Sequence, residues 1–495
     1  MQTIVKVVKT AKVKVVNLLA ALALAAALTS CGTTGNPMTM TLQPQGELTI
    51  YLQGVGRAKI DWGDGTSKTF MMLQFRRSKS INDKFSTRNK GYSHRYAATA
   101  ANEDVTITIT GKNVQNLFFD SNRIKSLDVS NNNKLKRLFC SNNQLTSLDV
   151  SKNSKLKILG CCNNQLTSLD VSKNSKLVAL HCSGNQLANL DVSNNKKLSS
   201  FNCRNNQLVS LDVSKNRKLK VLACNLNQLT KLDVSNNIKL ESLGCLQNQL
   251  TSLDVSKNIK LTELVCGNNQ ITNLDISQNR KLVTLNCSNH GYSEASGWLK
   301  LTSLDVSKNT KLEYLNCSSN DLKKLDVSKN TKLTELLCAA NQLTSLDVSR
   351  NTKLTRLLCG VNQITNLDVS KNTKLISLDS YINQLKSLDV SNNTKLTYLD
   401  CSQNKLTFLD VSNNTALAKL RCIDNQLIAL DVSKNAMLES LECHINQLTS
   451  LDITKNNKLL YLNIRDNQIT SLDLRNNPFL FVEGVIRDEG VTIIR

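Results

Sequence analysis

Seventeen times along this chain a triplet of the form Leu-Asp-Val, Leu-Asp-Ile or Leu-Asp-Leu returns, every 21 residues from Leu127 to Leu274 and again every 21 residues from Leu304 to Leu472. One full unit, residues 148–168, reads Leu-Asp-Val-Ser-Lys-Asn-Ser-Lys-Leu-Lys-Ile-Leu-Gly-Cys-Cys-Asn-Asn-Gln-Leu-Thr-Ser. A unit this short cannot enclose a core of its own, so each copy must bury its apolar residues against the next. The 495 residues therefore grow a stack of coils and do not divide into three ordinary domains. An apolar fraction of 40% excludes a disordered chain, and 4% aromatics make the core aliphatic. Four histidines in the whole chain leave little material for a His-based metal site or triad, which disfavours an enzyme.

Side-chain parity fixes the coil. In Leu138-Phe139-Cys140-Ser141 a strand points Leu138 and Cys140 inward, and in Leu148-Asp149-Val150-Ser151 it points Leu148 and Val150 inward. Each coil is expected to hold two short strands on two faces, with no room for a useful α-helix. Asn143 and Asn153 fall at the bends, where an inward carboxamide satisfies backbone groups leaving the ladder.

Residues 156–166 spell Leu-x-x-Leu-x-Cys-x-x-Asn-x-Leu, and residues 148–153 spell a nested Leu-x-Val-x-x-Asn. The first string resembles the leucine-rich repeat signature with Cys in a Leu slot, and the short nested unit is similar to a bacterial subclass to which the internalins are relatives. Val114, Leu117, Phe119, Asn122 and Ile124 fit the same template and start the array. The resemblance implies a mainly-β leucine-rich repeat solenoid over residues 112–477. It also implies a non-catalytic recognition protein that needs no cofactor.

The flanks differ in composition. Lys6, Lys9, Lys12 and Lys14 precede an apolar run from Val15 to Leu28, which reads as a secretory signal over residues 1–30. Leu28-Thr29-Ser30-Cys31 resembles the bacterial lipobox, which implies that Cys31 carries a lipid anchor, followed by a linker to residue 37. Gly32 after that Cys implies the outer membrane or cell surface. Residues 38–111 alternate as strands, and Trp62-Gly63-Asp64-Gly65 with His94-Arg95-Tyr96 resembles the PKD-like β-sandwich family. The turn is read as structural, not as a calcium site, and the basic segment Arg76–Arg95 as a long loop. Nine extra residues within 290–300 bring Tyr292 and Trp298 on a loop, a candidate ligand contact. Residues 478–495 lack the repeat and are expected to cap it.

Fourteen cysteines from Cys140 to Cys443 share the inward slot, with Ser380 and Ile464 replacing it twice and Cys162 lying outside it. Parallel in-register side chains point the same way, so a buried thiol spine is expected in place of disulfides, and no Cys-x-x-Cys spacing suggests a metal. Setting aside the four leader lysines lowers the net charge of +23 to +19, so the basic character belongs to the folded protein. Outward aspartates in every Leu-Asp-Val stand about 5 Å apart and repel by about 1 kcal/mol per pair in water. The lysines before the next Leu, such as Lys155, Lys176, Lys311 and Lys332, are expected to neutralise them. Sharper alternatives are an acidic strip for cations or a basic edge for anionic glycans.

The outward columns of the Leu-x-Cys strand vary while the rest repeats. Tyr314, Tyr398 and Tyr461 share one column, and Tyr381, His444 and Arg465 another. The middle column runs through Leu337, Leu358, Asp379, Asp400, Arg421 and Glu442, with Leu337 and Leu358 expected to form an exposed apolar spot. This face, in the C-terminal third, is the candidate recognition surface. The expected function is a monomeric, lipid-anchored surface protein of adhesin type that binds a protein or glycan. Nucleic acid is not expected, because the lysines lack interleaved aromatics. The alternatives are a structural envelope spacer, or a polysaccharide-active enzyme using Asp379 and Asp400.

Overall fold

The computed structural model describes residues 37–43, 47–72, 92–95, 104–289 and 300–495. The expected export signal, Cys31, most of the basic stretch after Arg76, and Tyr292 and Trp298 of the 290–300 insertion lie outside these. The described residues are all β apart from one 3₁₀ turn, Val482–Gly484. They build a β-solenoid of about eighteen turns of 21 residues, counting the turn opened by Val114. The chain folds as two compact units, Met1–Gln228 and Leu229–Arg495.

The first unit opens with β1 (Pro37–Leu42), β2 (Glu47–Gly54), β3 (Arg57–Asp61), β4 (Ser67–Met71), β5 (Tyr92–Arg95) and β6 (Val105–Thr110). Three strands follow from the first coils: β7 (Val114–Phe118), β8 (Ile124–Asp128) and β9 (Arg137–Phe139). One antiparallel sheet runs β4-β3-β6-β1-β8, and β2 pairs antiparallel with both β5 and β7. Met38, Met40, Ile50, Ile60, Trp62, Ile107 and Ile109 fill its interior. Asp64 closes the β3–β4 turn by accepting the Thr66 amide at 3.0 Å and its hydroxyl at 2.6 Å. Gly63 and Gly65 hold φ of 80° and 88°, and a side chain on Gly63 would meet the Thr106 carbonyl at 2.4 Å. Burial opposes the Asp64 charge, but the bonds from Thr66 and His94 outweigh it and hold the carboxyl at about 2.

The small domain and the first coil share strands. β8 contains the first Leu-Asp-Val pairing edge and lies against β1, while β7 lies against β2 and then β9 in parallel. Both open edges of the first coil are thereby paired, which removes donors and acceptors that would otherwise be exposed.

In the second unit a parallel ladder runs in residue-for-residue register from Ser242–Gly244 to Tyr461–Asn463. It passes the long coil without a slip, since Thr284–Asn286 pairs directly with Tyr314–Asn316. Val485–Ile486 adds a last parallel strand, and Thr492–Ile494 pairs with Ser471–Asp473, so the tail covers both sides of the last coil.

Inside a coil the inward Leu, Cys and Val side chains have lost essentially all contact with solvent. Two asparagine columns bind successive coils. Asn341 accepts the Leu322 amide at 3.1 Å and donates to the Cys317 and Cys338 carbonyls at 3.1 and 3.0 Å. Asn351 donates to the Val327 and Asn330 carbonyls, both at 3.0 Å, while its Oδ1 accepts no hydrogen bond. The Leu-Asp-Val segments keep the inward parity of Leu and Val, but among the described residues they pair as strand only at β8 and Ser471–Asp473. The reason is local: Asp305 turns its carboxylate onto the Ser307 amide at 2.8 Å, and the Val306 carbonyl takes the Asn309 amide and the Asn330 carboxamide. Those groups are spent within turns and asparagine bonds, not in a ladder.

The same Asx bond revises the expected charge balance. At Asp305 the Ser307 amide and hydroxyl, more than any lysine, hold the carboxyl below the ordinary carboxylate range, and the lysine that assists is Lys308, three residues on. The column of Lys155 is not the counter-charge. Lys155 is pushed down first by its neighbour Lys134, because this column stands beside its own kind.

Candidate functional site

Three outward columns of the ladder form the face between Tyr314 and Arg465. The first runs Tyr314, Glu335, Arg356, Ser377, Tyr398, Lys419, Ser440, Tyr461, and the middle one Asn316, Leu337, Leu358, Asp379, Asp400, Arg421, Glu442, Asn463. The third lies two residues beyond the middle one and carries Tyr381, His444 and Arg465.

The apolar spot expected at Leu337 and Leu358 is not exposed. Leu337 retains 9% of its surface and Leu358 is half-buried, because the middle column is the floor between two flanking columns. Arg356 and Glu335 span part of that flank with a 3.9 Å ion pair.

Polar groups fill the next stretch of floor. Asp379 and Asp400 are direct cross-strand partners, and Asp400 is only 4% exposed. Asp400 accepts the Ser402 amide at 3.1 Å and the Tyr398 hydroxyl at 3.3 Å. Arg421 Nε lies 3.5 Å from Asp400 Oδ2, an ion-pair distance without the geometry of a hydrogen bond. Arg421 Nη2 and Lys419 Nζ both reach Glu442 at 3.4 Å. Asp379 receives only a long bond from the Tyr381 amide, at 3.4 Å. Burial, then the adjacent Asp400, push its carboxyl up to about 7. Burial followed by the two carboxylates also raises the Tyr398 hydroxyl. Burial works against the charge of Arg421, but Asp400 and Glu442 outweigh it and raise its affinity for the proton.

Tyr381 lies back over Gly360, where an added Cβ would stand 2.3 Å from its ring. A Cβ at this point of the preceding coil would collide with the ring, so Gly360 is what makes room for it. Burial lowers the His444 imidazole, whose Nδ1 is buried without a partner. The structure thus brings Tyr381, Tyr398, Asp400, Arg421 and Glu442 together, with His444 at one end. Tyr314 and Tyr461 lie four and three strands from Tyr398, roughly 19 and 14 Å at ordinary strand spacing. Arg465 is exposed and pairs with Asp466 at 3.1 Å, outside the network.

Sequence parity missed two parts of the site. Lys419 joins the network only through Glu442 on the neighbouring coil. The residue after the third column is left-handed in almost every coil, with φ near 55° at Asn142, Asn163 and Asn205. Asn and Gly tolerate this region, and their recurrence in the column was the available signal. In the candidate face the same position holds Val361, Ile382 and Ile445, with φ of 55°, 49° and 56°. These are β-branched residues in a strained conformation, and Ile382 and Ile445 are exposed.

Among the described residues no group of three His, Cys, Asp or Glu side chains is placed to hold a metal ion. The described cysteines are free thiols, all buried except Cys162, and burial raises the thiols of the inward slot. Ser380 fits that slot by donating to the Asp400 carbonyl at 3.3 Å.

No family profile and no curated protein matches the chain. Among solved structures, the functional domain of InlJ from Listeria monocytogenes, described as including a cysteine ladder, is 34% identical. The match has a TM-score of 0.63 and covers 74% of this chain and 77% of that one. This chain belongs to the internalin-like leucine-rich repeat family. Two more distant structures share the fold alone. LIC12759 of Leptospira interrogans is 23% identical over 68% of this chain and 79% of its own, with a TM-score of 0.50. The plant peptide hormone receptor RGFR1, solved with RGF2, is 18% identical over 77% and 75%, with a TM-score of 0.58. As an internalin-like repeat protein, the chain is a protein-recognition scaffold whose variable part is the outward strand face.

Proposed function

We propose that this chain is an exported, lipid-anchored protein, attached through Cys31, that captures a protein partner on the strand face between Tyr314 and Arg465 without catalysis. The observation that carries the reading is the coincidence, in these coils, of a pre-set polar network with strained and exposed Ile382 and Ile445. Strain and apolar exposure both cost stability, and the coils around Asn163 and Asn205 hold the same turn with an unstrained residue. The tyrosines and Arg421 are residue types that dominate binding energy when set in a rigid surround. Internalin-like relatives and the RGFR1 complex with RGF2 support recognition as the use of such a scaffold. The PKD-like resemblance of residues 38–111 suits a domain that seals the first coil.

The test is capture by the purified protein from cell extracts, compared with two variants. One replaces Tyr314, Tyr398 and Tyr461 by Ser, and the other carries Arg421→Ala. A partner retained by the parent and lost by both supports the reading. Undiminished capture by both places the site on another surface.

The raised carboxyl of Asp379 beside Asp400 favours a second reading, acid-base chemistry on a polysaccharide. Hydrolysis of a polysaccharide panel that vanishes in Asp379→Asn would establish it. Absence of hydrolysis across the panel removes it.

A further inference from the structure

From Lys239 through Lys281, and from Lys311 to Lys395, every coil of the second unit carries a lysine at the position before its first ladder Leu. All of them are exposed. Among the described residues, the ion pairs of this stretch lie elsewhere, at Lys300–Asp321, Arg356–Glu335, Lys419–Glu442 and Arg421–Asp400, and none takes a lysine of this column. Arg280, Lys281, Ser307, Lys308, Thr310 and Lys311 line a shallow groove beside it.

The fold does not require these lysines. Ala416 and Met437 occupy the same slot two and three coils after Lys374, and their turns are unchanged. Leu417 donates to the Asn414 carbonyl and Leu438 to the Asn435 carbonyl at 3.0 Å, the distance found for Leu333 and Asn330 beside Lys332. Like charges on adjacent coils repel, so each added lysine opposes stacking. A surface that costs the fold energy and is continued through eight coils of one unit calls for an external counter-charge.

We propose that the Lys239–Lys395 column is a binding surface for a linear anionic polysaccharide, laid along successive coils with one carboxylate or sulfate opposite each lysine. Lysines recur at the strand spacing, about 4.8 Å, close to the length of one sugar residue in an extended chain. Nucleic acid fits less well. Duplex DNA presents a charge about every 1.7 Å, and single strands are held by aromatic stacking that this column lacks. The surface is separate from the strand face, so the inference does not depend on the protein-capture reading.

The experiment measures binding of the purified protein to a polyuronate, with neutral dextran and a single-stranded polynucleotide as comparisons, at about 50 and about 200 mM salt. Polyuronate binding is expected to fall on the order of tenfold or more across that salt range, with no binding to dextran. Lys311→Glu, Lys332→Glu and Lys353→Glu together should weaken it about a hundredfold or more, whereas the same three changed to Arg should retain it. Coils that tolerate Ala416 and Met437 at this slot leave the triple variant folded, and a circular dichroism melt no lower than the parent's verifies this. The strand-face variant Arg421→Ala should bind polyuronate normally. Binding that survives the charge reversal, that ignores salt, or that is tighter for the polynucleotide than for the polyuronate overturns the proposal.

Discussion

Replacing Asp379 by Asn should stabilise the protein, and by an amount that depends on pH in a defined way. In the folded chain the Asp379 carboxyl sits at about 7, against 3.8 for an ordinary Asp, because it is buried and faces Asp400. Its folded pKa is raised, so between those two values the folded state binds a proton that the unfolded state has lost. Stability from this group is therefore full below about pH 4 and drains away as pH rises towards 7. The distance from 3.8 to about 7 sets an upper bound of about 4 kcal/mol. Partial solvent access and relaxation of the side chain bring the expected value to about 2 kcal/mol. The carboxamide introduced by Asp379→Asn is isosteric with the carboxyl, keeps an acceptor for the Tyr381 amide, and carries no charge beside Asp400. The variant should match the parent near about pH 3.5, gain steadily through about pH 4 to 7, and hold a constant advantage above about pH 7.5. Repeat arrays open locally, so the assay is hydrogen exchange of the amides from Leu378 to Cys401, alongside denaturant unfolding, across that pH range. A gain that is flat with pH, or largest in acid, would refute the assignment of a retained proton to Asp379.

Other substitutions probe the remaining parts of the coil. Arg421→Met leaves Asp400 and Glu442 without their shared partner and should cost about 1–2 kcal/mol, since Arg421 itself is partly exposed; a double-mutant cycle with Asp400→Asn should show positive coupling. Ile382→Asn relieves a β-branched residue at φ 49° and should raise stability by roughly 1 kcal/mol in thermal unfolding, while weakening capture if the strand face is the site. Asn351→Leu removes two bonds to buried carbonyls and should cost about 2–4 kcal/mol, read as a loss of unfolding midpoint. Among the described cysteines only Cys162 should react quickly with a maleimide in the native state, and the inward thiols only after unfolding.

The period of Leu127, Leu148 and their successors was sufficient to specify a coil, because a 21-residue unit with apolar residues two apart has few ways to bury them. Parity likewise placed Leu138 and Cys140 inside and sorted the outward columns, since strand direction leaves each side chain one of two faces. The bends were legible at Asn143 and Asn153, whose carboxamides match the donors and acceptors of a turning backbone. Other features depended on neighbours that a linear string does not order. That Leu337 is covered, that Arg421 lies between Asp400 and Glu442, and that Tyr381 needs Gly360 beneath it are facts about adjacent coils. The pairing of β1 and β2 with the first coil joins residues separated by some 60 to 90 positions, so nothing local announces it. The sequence by itself determined the coil and its inward residues, because these repeat and interact at fixed short range. Only the tertiary structure decided which outward charges meet, because side-chain electrostatics and burial are set by what the next coil presents.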